Sequence, residues 1–108
     1  MYLAAEYVVA DHVSIVVAEV EAVARAEPTR ASAKYIVQMK LGNDIEVLEV
    51  LVTVDGNNNV YLTEYADVIS NAQLGTTNAV YDNGNVLLQV TAAAASTAVK
   101  VHRTYIEA

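Results

Sequence analysis

Four clusters of turn-forming residues divide most of this chain into short runs, and that punctuation limits the folds open to it. They are Gly42-Asn43-Asp44, Asp55-Gly56-Asn57-Asn58-Asn59, Gly75-Thr76-Thr77 and Asp82-Asn83-Gly84-Asn85. They recur roughly every 10 to 20 residues, the spacing of an antiparallel sandwich or barrel. Asn83-Gly84 is the strongest signal. A two-residue type I′ hairpin turn needs positive φ at both central positions, and Asn and Gly tolerate it best.

The runs between these turns alternate with the period of two expected of strands. Over 34–41, Tyr35, Val37, Met39 and Leu41 share one face, while Lys34, Gln38 and Lys40 share the other with Ile36. Over 46–55, Leu48, Val50, Val52 and Val54 oppose Glu49, Thr53 and Asp55. Val86, Leu88 and Val90 line one face of 85–91, and Val99, Val101 and Tyr105 share a face with Arg103 over 97–106. Ala92 to Ala95 is too short to nucleate a helix and reads as a turn or loop.

The first quarter supports two readings. Val9, Val13, Val16, Val20 and Val23 follow heptad spacing, which would suit a helix. Ala18, Val20, Ala22, Ala24 and Ala26 alternate with Glu19, Glu21, Arg25 and Glu27, and valine is a weak helix former, so a strand is favoured. Pro28 then interrupts it, because proline cannot donate to a ladder.

Composition supports strands throughout. Valine supplies 19 residues and alanine 18, there is no Phe or Trp, and all seven aromatics are Tyr. β-Branched side chains fit a pleated surface. A core of small and medium side chains suits two closely packed sheets. The expected fold is all-β, an antiparallel β-sandwich-like domain of about six to eight strands. A chain of 108 residues fits one domain and can bury a core without staples. The boundaries expected are an N-terminal arm over 1–12 and a single β domain over 13–108. There is no cysteine, so neither a disulfide nor a zinc-thiolate site enters.

Thirteen acidic residues against six basic ones give a formal net charge of −7. That opposes nucleic-acid binding, which needs clustered Lys and Arg against phosphates. It equally opposes docking on anionic membranes. No uninterrupted apolar stretch has the length of a membrane span. The start, with Glu6 and no basic leader, does not read as a secretory signal.

The residue types that carry chemistry are scattered. His12 and His102 have neither metal-ligand spacing nor a cysteine nearby. Asp55, Asn57 and Asn59 have the one-three-five spacing of a calcium loop, but Gly56 falls at position two and Ala66 at position twelve, where a bidentate Glu is needed. A turn explains the same residues. Glu19 and Glu21 would share a strand face, as would Tyr65 and Asp67, but paired carboxylates catalyse only when burial separates their pKa values. Ser14, Ser32, Ser70 and Ser96 lack a nucleophile elbow. No catalytic residue, cofactor site or metal site is expected, and the chain reads as non-enzymatic.

An ordered series of segments resembles a module of structural proteins of marine tailed bacteriophages, of the cyanophage type. Arg30-Ala31-Ser32-Ala33-Lys34-Tyr35 is similar to its Arg-Ser-Ala-Lys-Tyr opening, with one extra residue. Glu49-Val50-Leu51-Val52 with Asp55-Gly56 resembles its central strand and turn, and Tyr61-Leu62-Thr63-Glu64-Tyr65 its Tyr-x-Thr-Glu-Tyr segment. Leu74-Gly75-Thr76, Asn85-Val86-Leu87-Leu88 and Val99-Lys100-Val101-His102-Arg103-Thr104 complete the series over 30–106. His102 and Ala92 to Ala95 depart from the pattern. The resemblance implies a β-sandwich-like virion component: a head-decoration protein, or a small fibre or neck component.

Such a protein works by assembly, as a homo-oligomer or against other virion proteins, and its location is the virion. Val16 and Val17 put apolar groups on both faces of one strand, which needs cover on both sides, from within its own domain or from a neighbour through strand addition. The interface candidates are therefore Val13, Ile15, Val16 and Val17, with Tyr61 and Tyr65 on one strand face. The alternative is a receptor- or carbohydrate-binding module using Tyr61, Tyr65 and Tyr81 as platforms. Against that, Tyr61 and Tyr65 are expected to pack on neighbouring strands.

Overall fold

In the computed structural model the described residues are 11–17, 20–27 and 32–106, with side chains from Ser14 onward. The N-terminal arm expected over 1–12 lies largely outside them, as does Pro28. Asp11 and His12 are already paired into the first strand.

Eight strands follow one another without a helix among the described residues: β1 (Asp11–Val17), β2 (Val20–Ala26), β3 (Ser32–Leu41), β4 (Asp44–Val54), β5 (Val60–Ile69), β6 (Gly75–Asp82), β7 (Asn85–Ala92) and β8 (Thr97–Ile106). They form a five-stranded sheet in the order β1-β8-β3-β4-β5 and a three-stranded sheet in the order β2-β7-β6. All pairings are antiparallel. The described residues are all-β and sandwich-like, and within the ambiguous first quarter they form strands over Asp11–Val17 and Val20–Ala26.

The inward faces are those the alternation marks. Tyr35, Val37 and Met39 from β3, Leu48, Val50 and Val52 from β4, and Val99 and Val101 from β8 meet Val86, Leu88 and Val90 from β7. Burying each such side chain contributes about 1.5–3 kcal/mol, so the small side chains must be numerous. β1 is covered on one side only: Val17 is fully buried and Val16 is open to solvent.

The turns follow local chemistry. Asn83 and Gly84 have φ of 53° and 83° and join Asp82 to Asn85 across a two-residue hairpin. In the longer turn, Asp55 Oδ1 accepts the N–H groups of Asn57 and Asn59, each at 2.9 Å, and Oδ2 accepts Asn59 Nδ2 at 3.2 Å and the Tyr61 hydroxyl at 3.0 Å. Asn58 sits at φ 67°. The residues with calcium-loop spacing thus build a turn around a carboxylate already filled by donors. Ala93 to Ser96 forms a turn, closed by the Thr97 hydroxyl donating to the Ala94 carbonyl at 2.7 Å.

Two bulges alter the faces that strict alternation predicts. In β2 the register shifts between Ala22 and Ala24. Val20 and Ala22 therefore face solvent, while Val23, Ala24 and Ala26 are buried, so the even-numbered residues do not share one face. In β5 the register shifts opposite Glu49 and Val50, leaving Tyr65 as the extra residue between Glu64 and Ala66. A bulge reverses parity on its far side. Tyr65 consequently reaches Glu49 on the outer face, whereas Asp67 turns inward beside Glu46. Tyr65 and Asp67 do not share a face.

Candidate interaction surface

The outer face of the five-stranded sheet is its most unusual surface. From β1 to β5 it carries Ser14 and Val16; Ala98, Lys100, His102, Thr104 and Ile106; Lys34, Ile36, Gln38 and Lys40; Ile45, Val47, Glu49, Leu51 and Thr53; and Tyr61, Thr63, Tyr65 and Val68. Of the nine large hydrophobic side chains exposed among the described residues, six lie here: Val16, Leu51, Tyr61, Tyr65, Val68 and Ile106. They are between 47% and 70% exposed. Scattered surface apolar groups are ordinary, but a concentration on one sheet face marks an interaction surface.

Tyr61 and Tyr65 do not pack away against neighbouring strands as expected; they stand about half-exposed. Both hydroxyls are tethered to acids. Tyr61 donates to Asp55, which raises the phenol pKa, and the hydrogen bonds of Asn59, Asn57 and Tyr61 hold the Asp55 carboxyl below its ordinary range. The Tyr65 phenol is raised first by desolvation and then by its hydrogen bond to Glu49. The Tyr61 ring is thus held at its edge by Asp55, and the Tyr65 ring lies near Glu49 on the same face.

The charges are sorted as well. All three lysines of the chain, Lys34, Lys40 and Lys100, are exposed on this face, together with His102. Among the described strand residues its one acid is Glu49, with Asp55 at its edge bonded to Tyr61. The acids Asp44, Glu64 and Asp67 lie on the opposite side of β4 and β5, along the margin of the sandwich. Glu64 accepts a hydrogen bond from the Thr77 hydroxyl of β6, and Asp44 Oδ2 accepts Asn71 Nδ2 at 3.2 Å.

Beneath that margin lies a buried carboxyl. Glu46 is fully buried, and its Oε1 accepts the Leu74 N–H at 2.7 Å. Among the described residues its buried Oε2 has no hydrogen-bond partner, and the Asp67 carboxyl lies close enough to Glu46 to interact with it. Burial, then Asp67, pushes the Glu46 pKa above the ordinary carboxylate range, while the N–H groups of Leu74 and Gly75 pull it back. The crossover from β5 to β6 is thereby tied to β4. Gly75 fits this crossover for lack of a side chain: a Cβ there would lie 2.6 Å from the Thr91 carbonyl oxygen and 2.8 Å from Met39 Sδ. On the core side of β8, Arg103 donates from Nη1 to the Arg25 carbonyl at 2.8 Å and lies over the Tyr105 ring, 5.4 Å from its centroid.

The interface candidates separate. Val16, Tyr61 and Tyr65 are exposed on the common face. Val17 is buried in the chain's own core, so it is spent on folding and not open to a partner; Ile15 packs against that core from its edge. The Val13 side chain lies outside the described residues. His12 and His102 come opposite each other in the β1–β8 register. Lys34, Lys40, Lys100, Leu51, Val68 and the Glu46–Asp67 pair were not among the candidates. Parity alone marks Glu46, which falls in step with Leu48, Val50 and Val52.

No family model matches this chain, and no curated protein matches it. Solved structures similar to this chain include two phage tailspikes. One is the tailspike protein of Acinetobacter phage vB_ApiP_P1, with a TM-score of 0.50 and 14% identity, covering 91% of this chain and 21% of that one. The other is the tailspike protein of Acinetobacter baumannii phage AM24, with a TM-score of 0.46 and 10% identity, covering 94% of this chain and 26% of that one. The chain therefore spans about a fifth to a quarter of the length of those tailspikes. At these identities, the first of these likenesses is one of fold: an eight-stranded sandwich of this kind also occurs as a portion of a phage tailspike.

Proposed function

We propose that this chain is a non-enzymatic structural module of a bacteriophage particle, of the tail or fibre type, that works by burying one sheet face against neighbouring copies or particle proteins. The observation that carries the reading is the gathering of six of the nine exposed large hydrophobic side chains on the outer face of the five-stranded sheet. Interfaces mix apolar and polar groups, and on this face exposed apolar side chains on β1, β4 and β5 flank the lysines of β3 and β8. The portion-wise fold likeness to a tailspike and the ordered sequence resemblance to phage structural modules supply the particle context. A head-decoration role and a marine host are the finer forms of the same proposal.

A second reading has a specific observation in its favour. Tyr61 and Tyr65 present half-exposed rings on one face with tethered hydroxyls, as a glycan or receptor platform would. The test is the absolute mass in solution by light scattering over a range of concentrations, with melting temperature recorded in parallel with and without added glycans. The assembly reading expects a multimer of the 11.6 kDa chain or mass that grows with concentration. A strict monomer whose melting temperature rises with a glycan would replace it with the second reading.

A further inference from the structure

The sorting of charge on this sandwich says how two copies would meet. We propose that the lysine face of one copy docks on the acidic β5 margin of the next, a head-to-tail contact between unlike surfaces. The proposal rests on the assembly reading and specifies its geometry.

The two charge rows have the same spacing. On the outer face, Lys100 of β8 is level with Gln38, four positions beyond Lys34 on β3, and Lys40 is six positions beyond it. On the margin, Asp67 of β5 is level with Leu48, four positions beyond Asp44 on β4, and Glu64 is level with Val50, six beyond it. At about 3.3 Å per residue, each row places its charges at roughly 0, 13 and 20 Å along the strand direction. A second copy laid with its strands along those of the face can therefore set Asp44 and Asp67 against Lys34 and Lys100, with Glu64 level with Lys40 along the strands and about 4.8 Å to one side of it. None of the three lysine side chains makes a hydrogen bond or ion pair within its own chain among the described residues. The apolar groups are matched too: Leu51 and Val68 lie amid the lysine face, and Ile69 is exposed beside the acids.

The chemistry favours a protein surface over an anionic polymer. Ile36, Val47 and Leu51 interleave with the lysines, and a polymer of charged units gives those apolar groups nothing to bury against. Contact between unlike surfaces does not close on itself as a twofold does; it continues into a ring or a filament. Attraction between charges at the margin of such a contact is screened by salt.

The experiment uses the full chain and two variants. One is Lys34→Glu, Lys40→Glu and Lys100→Glu together; the other is Asp44→Lys with Glu64→Lys. Asp67 is left in place because it touches Glu46. Light scattering at low and high salt reads the mass, and thermal melting confirms that each variant folds. Wild-type multimers should dissociate as salt rises. Each variant alone should run at the mass of one chain, and an equal mixture of the two should recover multimers through the reversed pairing. Multimers of unchanged mass in the lysine variant would overturn the assigned surfaces while leaving the assembly reading standing. Loss of assembly in both variants with no recovery on mixing would also overturn the pairing. A wild type monomeric at every concentration would remove the assembly reading itself. Should polyglutamate bind the wild type and not the lysine variant, with multimers unaffected, the face would belong to an anionic polymer and the proposal would fail.

Discussion

Glu46→Gln should stabilise the fold, and do so only above the pH at which ordinary carboxyls ionise. Glu46 is fully buried, bonded through Oε1 to the Leu74 N–H, and beside Asp67. Its folded pKa is raised above the unfolded value near 4.5. The folded protein thus holds a proton that the unfolded chain gives up more readily. The contribution is fully present below pH 4.5 and is lost as pH rises through the folded pKa. Glutamine keeps the shape, keeps an oxygen for the Leu74 N–H, and offers an N–H to Asp67. It removes the ionisation altogether. A buried charged or unsatisfied polar group costs about 1–3 kcal/mol in protein mutational data. For a domain of this size, 1 kcal/mol moves the melting temperature by about 4 °C or somewhat more.

Calorimetric melting from pH 4 to pH 9 reads the difference between wild type and variant. Carboxyls that do not touch Glu46 are common to both proteins and cancel, so the difference reads Glu46 together with its neighbour Asp67. The two should melt within a degree or so at pH 4, and the variant should melt about 4–12 °C higher at pH 8, by the same conversion. Parallel curves across the whole range would refute the reasoning, because they would mean that Glu46 titrates alike in the folded and unfolded chain. A variant less stable at every pH would mean that the amide cannot satisfy both Leu74 and Asp67.

Two further substitutions probe the core and the hairpin. Tyr35 is fully buried with a hydroxyl that meets no partner, and its phenol is pushed up to about 12 by burial. Tyr35→Phe should therefore raise stability by about 1 kcal/mol or more, read as a higher urea midpoint at unchanged slope; a lower midpoint would mean the hydroxyl is satisfied. Gly84 sits at φ 83° with open space where a Cβ would be, so Gly84→Val meets backbone strain and no clash. A cost of about 1–2 kcal/mol should appear as a lower melting temperature, and an unchanged one would exclude a tight turn at Asn83-Gly84.

Much of the fold is legible because period two is a local property. Residues 97–106 alternate without interruption and form β8 over the same span. The hairpin at Asn83-Gly84 is legible because its φ requirement is met by two adjacent residues. The β2 and β5 bulges are not. A bulge is one extra residue relative to a partner strand, and the partner is remote in sequence. That is why Val20 and Ala22 fall outside the core and why Asp67 meets Glu46. Strand order is equally remote. Parity puts Lys34, Lys40 and Lys100 on outward faces, but only the placement of β8 between β1 and β3 brings Lys100 beside Lys40. Two adjacent valines on β1 call for cover on both faces without saying from where; the core covers Val17 and leaves Val16 open.

The acids on β5 also bear on which contacts the chain avoids. β5 is a ten-residue edge strand whose outward groups are largely exposed, the kind of edge that invites pairing with another chain. Two copies joined antiparallel through β5 and centred between Tyr65 and Ala66 would bring Glu64 of one opposite Asp67 of the other. Like charges across a strand pair are unfavourable, and the buried Glu46 behind them adds a third carboxyl to the cluster. The bulge at Tyr65 further breaks the regular ladder such pairing would need. Edge pairing is thus opposed by both charge and backbone. The lysine face, where the same acids become an attraction, is left as the contact that the surface chemistry favours.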